Sequence, residues 1–169
     1  MSQMADRFTS MFRDEHRAVR DSLLDLVDAF TARDIPRAGT LLGRIAGLTG
    51  PHFRYEEEVM YPALVGLFGP AYIAKLYQDH NQAIGAAQGL VALAGKSSWS
   101  DDDVRKGVEL TRAILPHVSD CDGLSIMVER LGDGQIGQIF TARDRSNAAG
   151  LDLLRWAAEV RRPPTLPAA

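Results

Sequence analysis

The chain has 169 residues, 46% hydrophobic, 24% charged and 7% aromatic, with a formal net charge of −3. That length suits one domain with its own core, the composition is not that of a disordered chain, and the acidic balance argues against an electrostatic nucleic-acid binder. A single cysteine, Cys121, excludes a disulfide framework and a cysteine-based zinc finger, and the absence of any run of about 18 apolar residues excludes a membrane-spanning helix.

Residues Met1 to Arg7 have no apolar stretch behind them, so no secretory signal is expected and the expected compartment is the cytoplasm. Apolar positions then recur at helical spacing. A first segment runs from about Ala5 to Thr31, with Phe8, Phe12, Val19, Leu23, Leu26 and Phe30 on one stripe. Asp34 and Pro36 read as a cap and a first-turn proline. They open a second segment to about Leu67, which Gly50-Pro51 is expected to interrupt and Pro62 to stiffen. Gly69-Pro70 is a break, and a third segment runs from Pro70 to about Ala94. After a loop at Gly95 to Ser98, Ser100 and Asp103 read as a capping box for a fourth segment. It reaches about Leu131 with Pro116 inside it. Gly132-Asp133-Gly134 is a turn, and it lacks the Lys-Ser/Thr that would make it a phosphate loop. A fifth amphipathic segment spans roughly Ile136 to Val160, before a loose Pro-rich tail at Arg162-Pro163-Pro164. The expected fold is all-α: an up-down four-helix bundle over residues 1–132. Residues 133–169 are expected to add a helix and tail that pack on the same domain or serve a homo-oligomer contact.

Four histidines carry the chemistry: His16, His52, His80 and His117, one on each expected bundle helix. His52 follows Pro51 and His117 follows Pro116, while acids precede His16 and His80. The chain therefore reads as two similar helical hairpins, an arrangement that sends inward ligands from every helix to a shared metal site. Glu56 stands four residues after His52, on the same helix face. The matching place after His117 is Cys121, and Asp122 is one further on. Five residues turn a helix by about 500°, so Asp122 points about 140° away from His117 unless the helix bends; Pro116 could cause such a bend. Glu57 and Glu58 read as surface charges, and Tyr55, Tyr61 and Tyr77 as packing residues whose hydroxyls could reach a site. Arg161-Arg162 is too short a basic run for a membrane or nucleic-acid patch.

The stretch His52-Phe53-Arg54-Tyr55-Glu56-Glu57-Glu58-Val59-Met60-Tyr61-Pro62, with Asp14-Glu15-His16-Arg17 and Asp79-His80, resembles the signature of hemerythrin-like (HHE cation-binding) domains over about residues 8 to 130. The resemblance implies a cofactor of two non-haem iron ions, oxo- or hydroxo-bridged. The implied ligands are His16, His52, Glu56, His80 and His117, with a carboxylate on the fourth helix. Asp122 is favoured for that place, with Cys121 as a thiolate alternative. The oxygen carriers have another histidine one turn before His80, where this chain has Leu76. One iron then lacks a nitrogen donor, and Glu57 or Tyr77 could stand in. A more open ion suits reaction with an oxidant better than reversible carriage.

Three functions follow as expectations. The first is a diiron protein that binds and reacts with O2, peroxide or nitric oxide. The second is an oxygenase or oxidase acting on a small organic substrate, in a pocket left by Gly85, Ala86, Ala87 and Gly89. The third is an iron- or oxygen-sensing module.

Overall fold

The computed structural model describes residues 2–164 and is helical almost throughout, with no strand among the described residues. Helix α1 spans Gln3–Thr31 and starts where the Ser2 hydroxyl accepts from the Ala5 amide at 3.1 Å. Helix α2 spans Ile35–Tyr55 and starts on Asp34, whose carboxylate accepts from the Arg37 amide at 3.0 Å. A π turn, Glu56–Met60, joins α2 to α3 at Tyr61–Phe68 without a break in the helical path. Helix α4 spans Pro70–Ala94. Helix α5, Asp101–Val128, opens on the expected capping box: the Asp103 amide donates to the Ser100 hydroxyl, and the Ser100 amide donates to the Asp103 carboxylate.

Short connections reverse the chain between successive long helices. The contacts close a ring, with α1 on α2, α2 on α4, α4 on α5 and α5 on α1. This is the expected four-helix bundle. The C-terminal segment forms two helices, α6 at Asp133–Ala149 and α7 at Leu153–Glu159, where one stretch was expected. Gly150 separates them in a left-handed conformation (φ 60°) that closes α6 and costs glycine little. Helix α6 packs on α1 and α2, and α7 on α2 and α4, with Leu153 and Trp156 buried. The part of the Pro-rich tail beyond residue 164 lies outside the described residues.

The interruption expected at Gly50-Pro51 does not occur, since α2 runs through both residues. Gly50 serves a different end. A Cβ there would collide with the Leu151 carbonyl and the backbone of Asp152 and Leu153. The missing side chain lets the α6–α7 connection lie directly on α2.

The core falls into two apolar clusters. One contains Leu23, Leu26, Ile45, Phe53, Leu90 and Ile114. The other contains Phe8, Phe12, Tyr61, Leu76, Leu124 and Ile136. Each histidine sits at their junction along its own helix: His16 between Phe12 and Val19, His80 between Tyr77 and Ala83, His117 between Ile114 and Cys121. On α2, His52 lies between Ile45 of one cluster and Tyr55 of the other. Four imidazoles thereby enter the bundle at one level, walled off above and below by hydrocarbon. No helix among the described residues is long and apolar enough to cross a membrane.

Candidate metal centre

The imidazoles meet in two pairs. His16 and His52 have ring centres 4.6 Å apart, and His80 and His117 have theirs 4.7 Å apart. All four are buried. Between the pairs stands Glu56, 0% exposed. Its Oε1 lies 3.3 Å from His52 Nε2 and its Oε2 lies 3.2 Å from His80 Nε2. Those separations allow charge attraction, but the alignment is wrong for hydrogen bonds, and neither carboxylate oxygen has a hydrogen-bond partner. A buried carboxylate without hydrogen bonds is costly to keep in a folded protein.

The outer nitrogens of three rings are held. His16 Nδ1 donates to the Phe12 carbonyl at 2.8 Å. His52 Nδ1 lies 2.7 Å from Glu15, which also accepts from Tyr55 and Arg143 at 2.8 and 2.5 Å. His80 Nδ1 lies 2.8 Å from Glu57. His117 Nδ1 is 3.7 Å from Asp79. Fixing Nδ1 by an acceptor leaves Nε2 as the free nitrogen and aims it, which is how ligating imidazoles are oriented in metalloproteins.

Glu57 corrects the sequence reading. It is buried, not a surface charge, and Arg161 grips it with Nε at 2.9 Å and a terminal nitrogen at 2.8 Å. The π turn is the physical reason. Its wider turn advances each residue by a smaller angle than an α-helix does, so Glu56 and Glu57 both stay on the inner side. Glu58 remains at the surface, paired with Arg54 and Arg145. In the metal-free chain Glu57 and Tyr77 are each engaged elsewhere, Glu57 with His80 Nδ1 and Arg161. Leu76 is buried in the apolar cluster, and the Tyr77 hydroxyl donates to the Glu57 carbonyl at 2.8 Å.

Ligand atoms converge within 4.8 Å in two groups that share Glu56: His16, Glu56 and Cys121; and Glu56, His80 and His117. Asp122 joins neither. Its side chain is 43% exposed, and its buried Oδ1, which accepts no hydrogen bond, lies 4.0 Å from Arg13 Nε. Tyr61 reaches inward, with its hydroxyl 3.0 Å from His80 Nε2 and 3.4 Å from Cys121 Sγ. Phe53 covers the other face of His80 in a parallel stack at 3.7 Å.

The electrostatics match this layout. Burial opposes charge on His52, but Glu56 and Glu15 outweigh it and push the ring up to about 10. His80 is raised in the same way, against burial, by Glu56 and Glu57. Burial and the charge on His52 lower His16 to about 4, and burial with His80 lowers His117 to about 3. Against burial, His52 and His80 hold Glu56 well below the usual carboxylate range. Burial and the Glu56 charge push the Cys121 thiol up. Each pair thus has one ring raised and one lowered, and the two raised rings, His52 and His80, flank Glu56. Cations bound at the two groups would answer the Glu56 charge in their place, so the residues present fit a metal.

Sequence spacing missed Glu15, Glu57 and Arg161 as supports of the site. An acid beside His16 was visible, but its service to His52 on the next helix was not. Arg161 lies 104 residues from Glu57 and carries no local signal.

No curated protein and no solved structure matches the chain. Residues 7–123 match the model of the hemerythrin HHE cation-binding domain. That stretch holds all four imidazoles, Glu56 and Cys121, and it covers most of the chain. The chain therefore belongs to the hemerythrin HHE cation-binding domain family.

Proposed function

We propose that this protein holds two non-haem iron ions, one on each side of Glu56, and reacts there with dioxygen, peroxide or nitric oxide. His16 and His52 would serve one ion, His80 and His117 the other, and Glu56 both. Asp122, with a buried oxygen that accepts no hydrogen bond and a charge that acts on His16, is the further carboxylate available on the His16 side. One observation carries the reading: a fully buried carboxylate whose two oxygens accept no hydrogen bond and face imidazoles from different hairpins.

Bound iron would supply the one-electron redox chemistry and the open positions that a small oxidant needs. The chain supplies the rest. Glu15, Glu57 and the Phe12 carbonyl keep the rings in one tautomer and one orientation. Tyr61 places a hydroxyl beside His80 Nε2, where it can donate a hydrogen bond to an oxygen atom in the cavity. The two apolar clusters keep bulk water away, which strengthens each electrostatic contact. Leu76 offers no donor, so the His80 side has fewer nitrogen ligands to give, which favours reaction over reversible carriage.

Behind Phe53 lies an apolar cavity of about 30 Å³ lined by Leu23, Ile45, Ala87, Leu90 and Ile114. Its size suits a diatomic molecule and is far below the several hundred Å³ of typical organic-ligand pockets. Of the small residues expected to leave room for an organic substrate, only Ala87 lines it.

The test is iron analysis of the purified chain, with optical spectra under nitrogen, then air, then peroxide. The expected result is two irons per chain and a near-ultraviolet absorption that changes on exposure to the oxidants. One iron or none, or a spectrum indifferent to all three gases and reagents, overturns the proposal.

A further inference from the structure

Cys121 is 0% exposed, and its sulfur is the third member of the group formed with His16 and Glu56. It sits four residues after His117, as Glu56 sits four residues after His52, and a proline precedes both histidines. Helix geometry thus delivers sulfur to the bundle centre from α5 by the same offset that delivers the carboxylate from α2. A buried cysteine that only fills space sits among hydrocarbon. Cys121 lies in the second apolar cluster but also has the Tyr61 hydroxyl at 3.4 Å, His117 Nε2 at 3.5 Å, and the unpartnered Glu56 carboxylate within ligand-sharing distance. Asp122, by contrast, has its side chain nearly half exposed.

We propose that Cys121 is a thiolate ligand for the cation held by His16 and Glu56, so that the two metal positions differ in donor chemistry. This rests on the two-cation reading given above. The S–H bond breaks as the metal–sulfur bond forms, the proton leaves to solvent, and no oxidation state changes. Imidazole, carboxylate and thiolate together suit a borderline divalent cation such as Zn2+, Co2+ or Fe2+ and disfavour Mg2+ and Ca2+. The other position, with His80, His117 and Glu56, has only nitrogen and oxygen donors.

Cobalt(II) alone, added to the metal-free full-length chain, separates this inference from the reading beneath it. Visible cobalt bands report binding at either position. A near-ultraviolet thiolate-to-cobalt absorption reports sulfur ligation. The wild-type chain is expected to give both. Cys121→Ser and Cys121→Ala are expected to lose the near-ultraviolet absorption and keep the visible bands. Visible bands without sulfur absorption in the wild type, or sulfur absorption that survives in Cys121→Ser, overturns the thiolate while the two-cation reading stands. No cobalt binding overturns both. If neither cysteine variant folds, X-ray absorption on the zinc-loaded wild type decides: a sulfur scatterer at about 2.3 Å is expected, and a shell of nitrogen and oxygen alone overturns the assignment.

Discussion

The two helical hairpins of the bundle carry the same plan with different chemistry. In the first, Pro51-His52 is followed after one turn by Glu56; in the second, Pro116-His117 is followed after one turn by Cys121. Backbone geometry brings both side chains to the centre, so the spacing decides where a donor stands and the residue type decides which cation it suits. The supports differ as well. His52 leans on Glu15, which is tied to Tyr55 and to Arg143 of α6. His80 leans on Glu57, which is tied to Arg161 beyond α7. The C-terminal segment therefore reaches both halves of the site from outside the bundle, through two arginines that each neutralise a carboxylate behind an imidazole.

The strongest way to break this comparison is Glu56→Gln, which removes the donor the halves share. Calorimetric titration with zinc is expected to give two equivalents for the wild type. In the variant, affinity is expected to fall by more than about 100-fold, beyond what loss of an outer support causes. Next is Arg161→Ala. It leaves Glu57 buried with only the His80 ring beside it and is expected to cost about 3–5 kcal/mol in urea unfolding of the metal-free chain. A loss under about 1 kcal/mol would mean that the clasp is weak. Glu15→Gln and Glu57→Gln sharpen the comparison, since each is expected to weaken cation binding roughly 10–100-fold on its own half only. Equal weakening of both equivalents by either variant would contradict the division into halves.

Acid unfolding tests the first hairpin alone. Against burial, His52 and Arg143 lower Glu15 from 4.5 to about 2. A lowered folded-state value stabilises the fold above pH 4.5, and that contribution is lost as the pH falls towards 2. The stability difference between the wild type and Glu15→Gln is expected to be constant between about pH 5 and 6.5, to shrink below that window as Glu15 takes up its proton, and to shrink above it, towards pH 10, as His52 loses its own. The smallest effect is expected for Tyr61→Phe. Losing a hydroxyl between His80 and Cys121 should change stability by about 0.5–1.5 kcal/mol and shift the near-ultraviolet absorption of the cobalt-loaded chain.

Much of this was legible in the residues. One histidine per helix, the caps at Asp34 and Ser100, and the Gly69-Pro70 break are local signals, and each acts through its own turn of backbone. What escaped was set by distant parts of the chain. The π turn at Glu56–Met60 has no local sequence marker, and without it Glu57 is placed outside. Gly50 looked like a breaker because its reason for being small lies a hundred residues away, at Leu151. Arg161 read only as half of a short basic run because its partners, Glu57 and Asn81, belong to the π turn and α4. Local rules place a helix and its inward face; they do not say which arginine will close the back of a site.

The central claim is that the Glu56 carboxylate is shared by two cations. Anomalous scattering from crystals of the zinc-loaded chain tests it most directly. The account predicts two peaks, one between Glu56 and the His16–His52 pair and the other between Glu56 and the His80–His117 pair. A single peak, or peaks that do not flank Glu56, would contradict it.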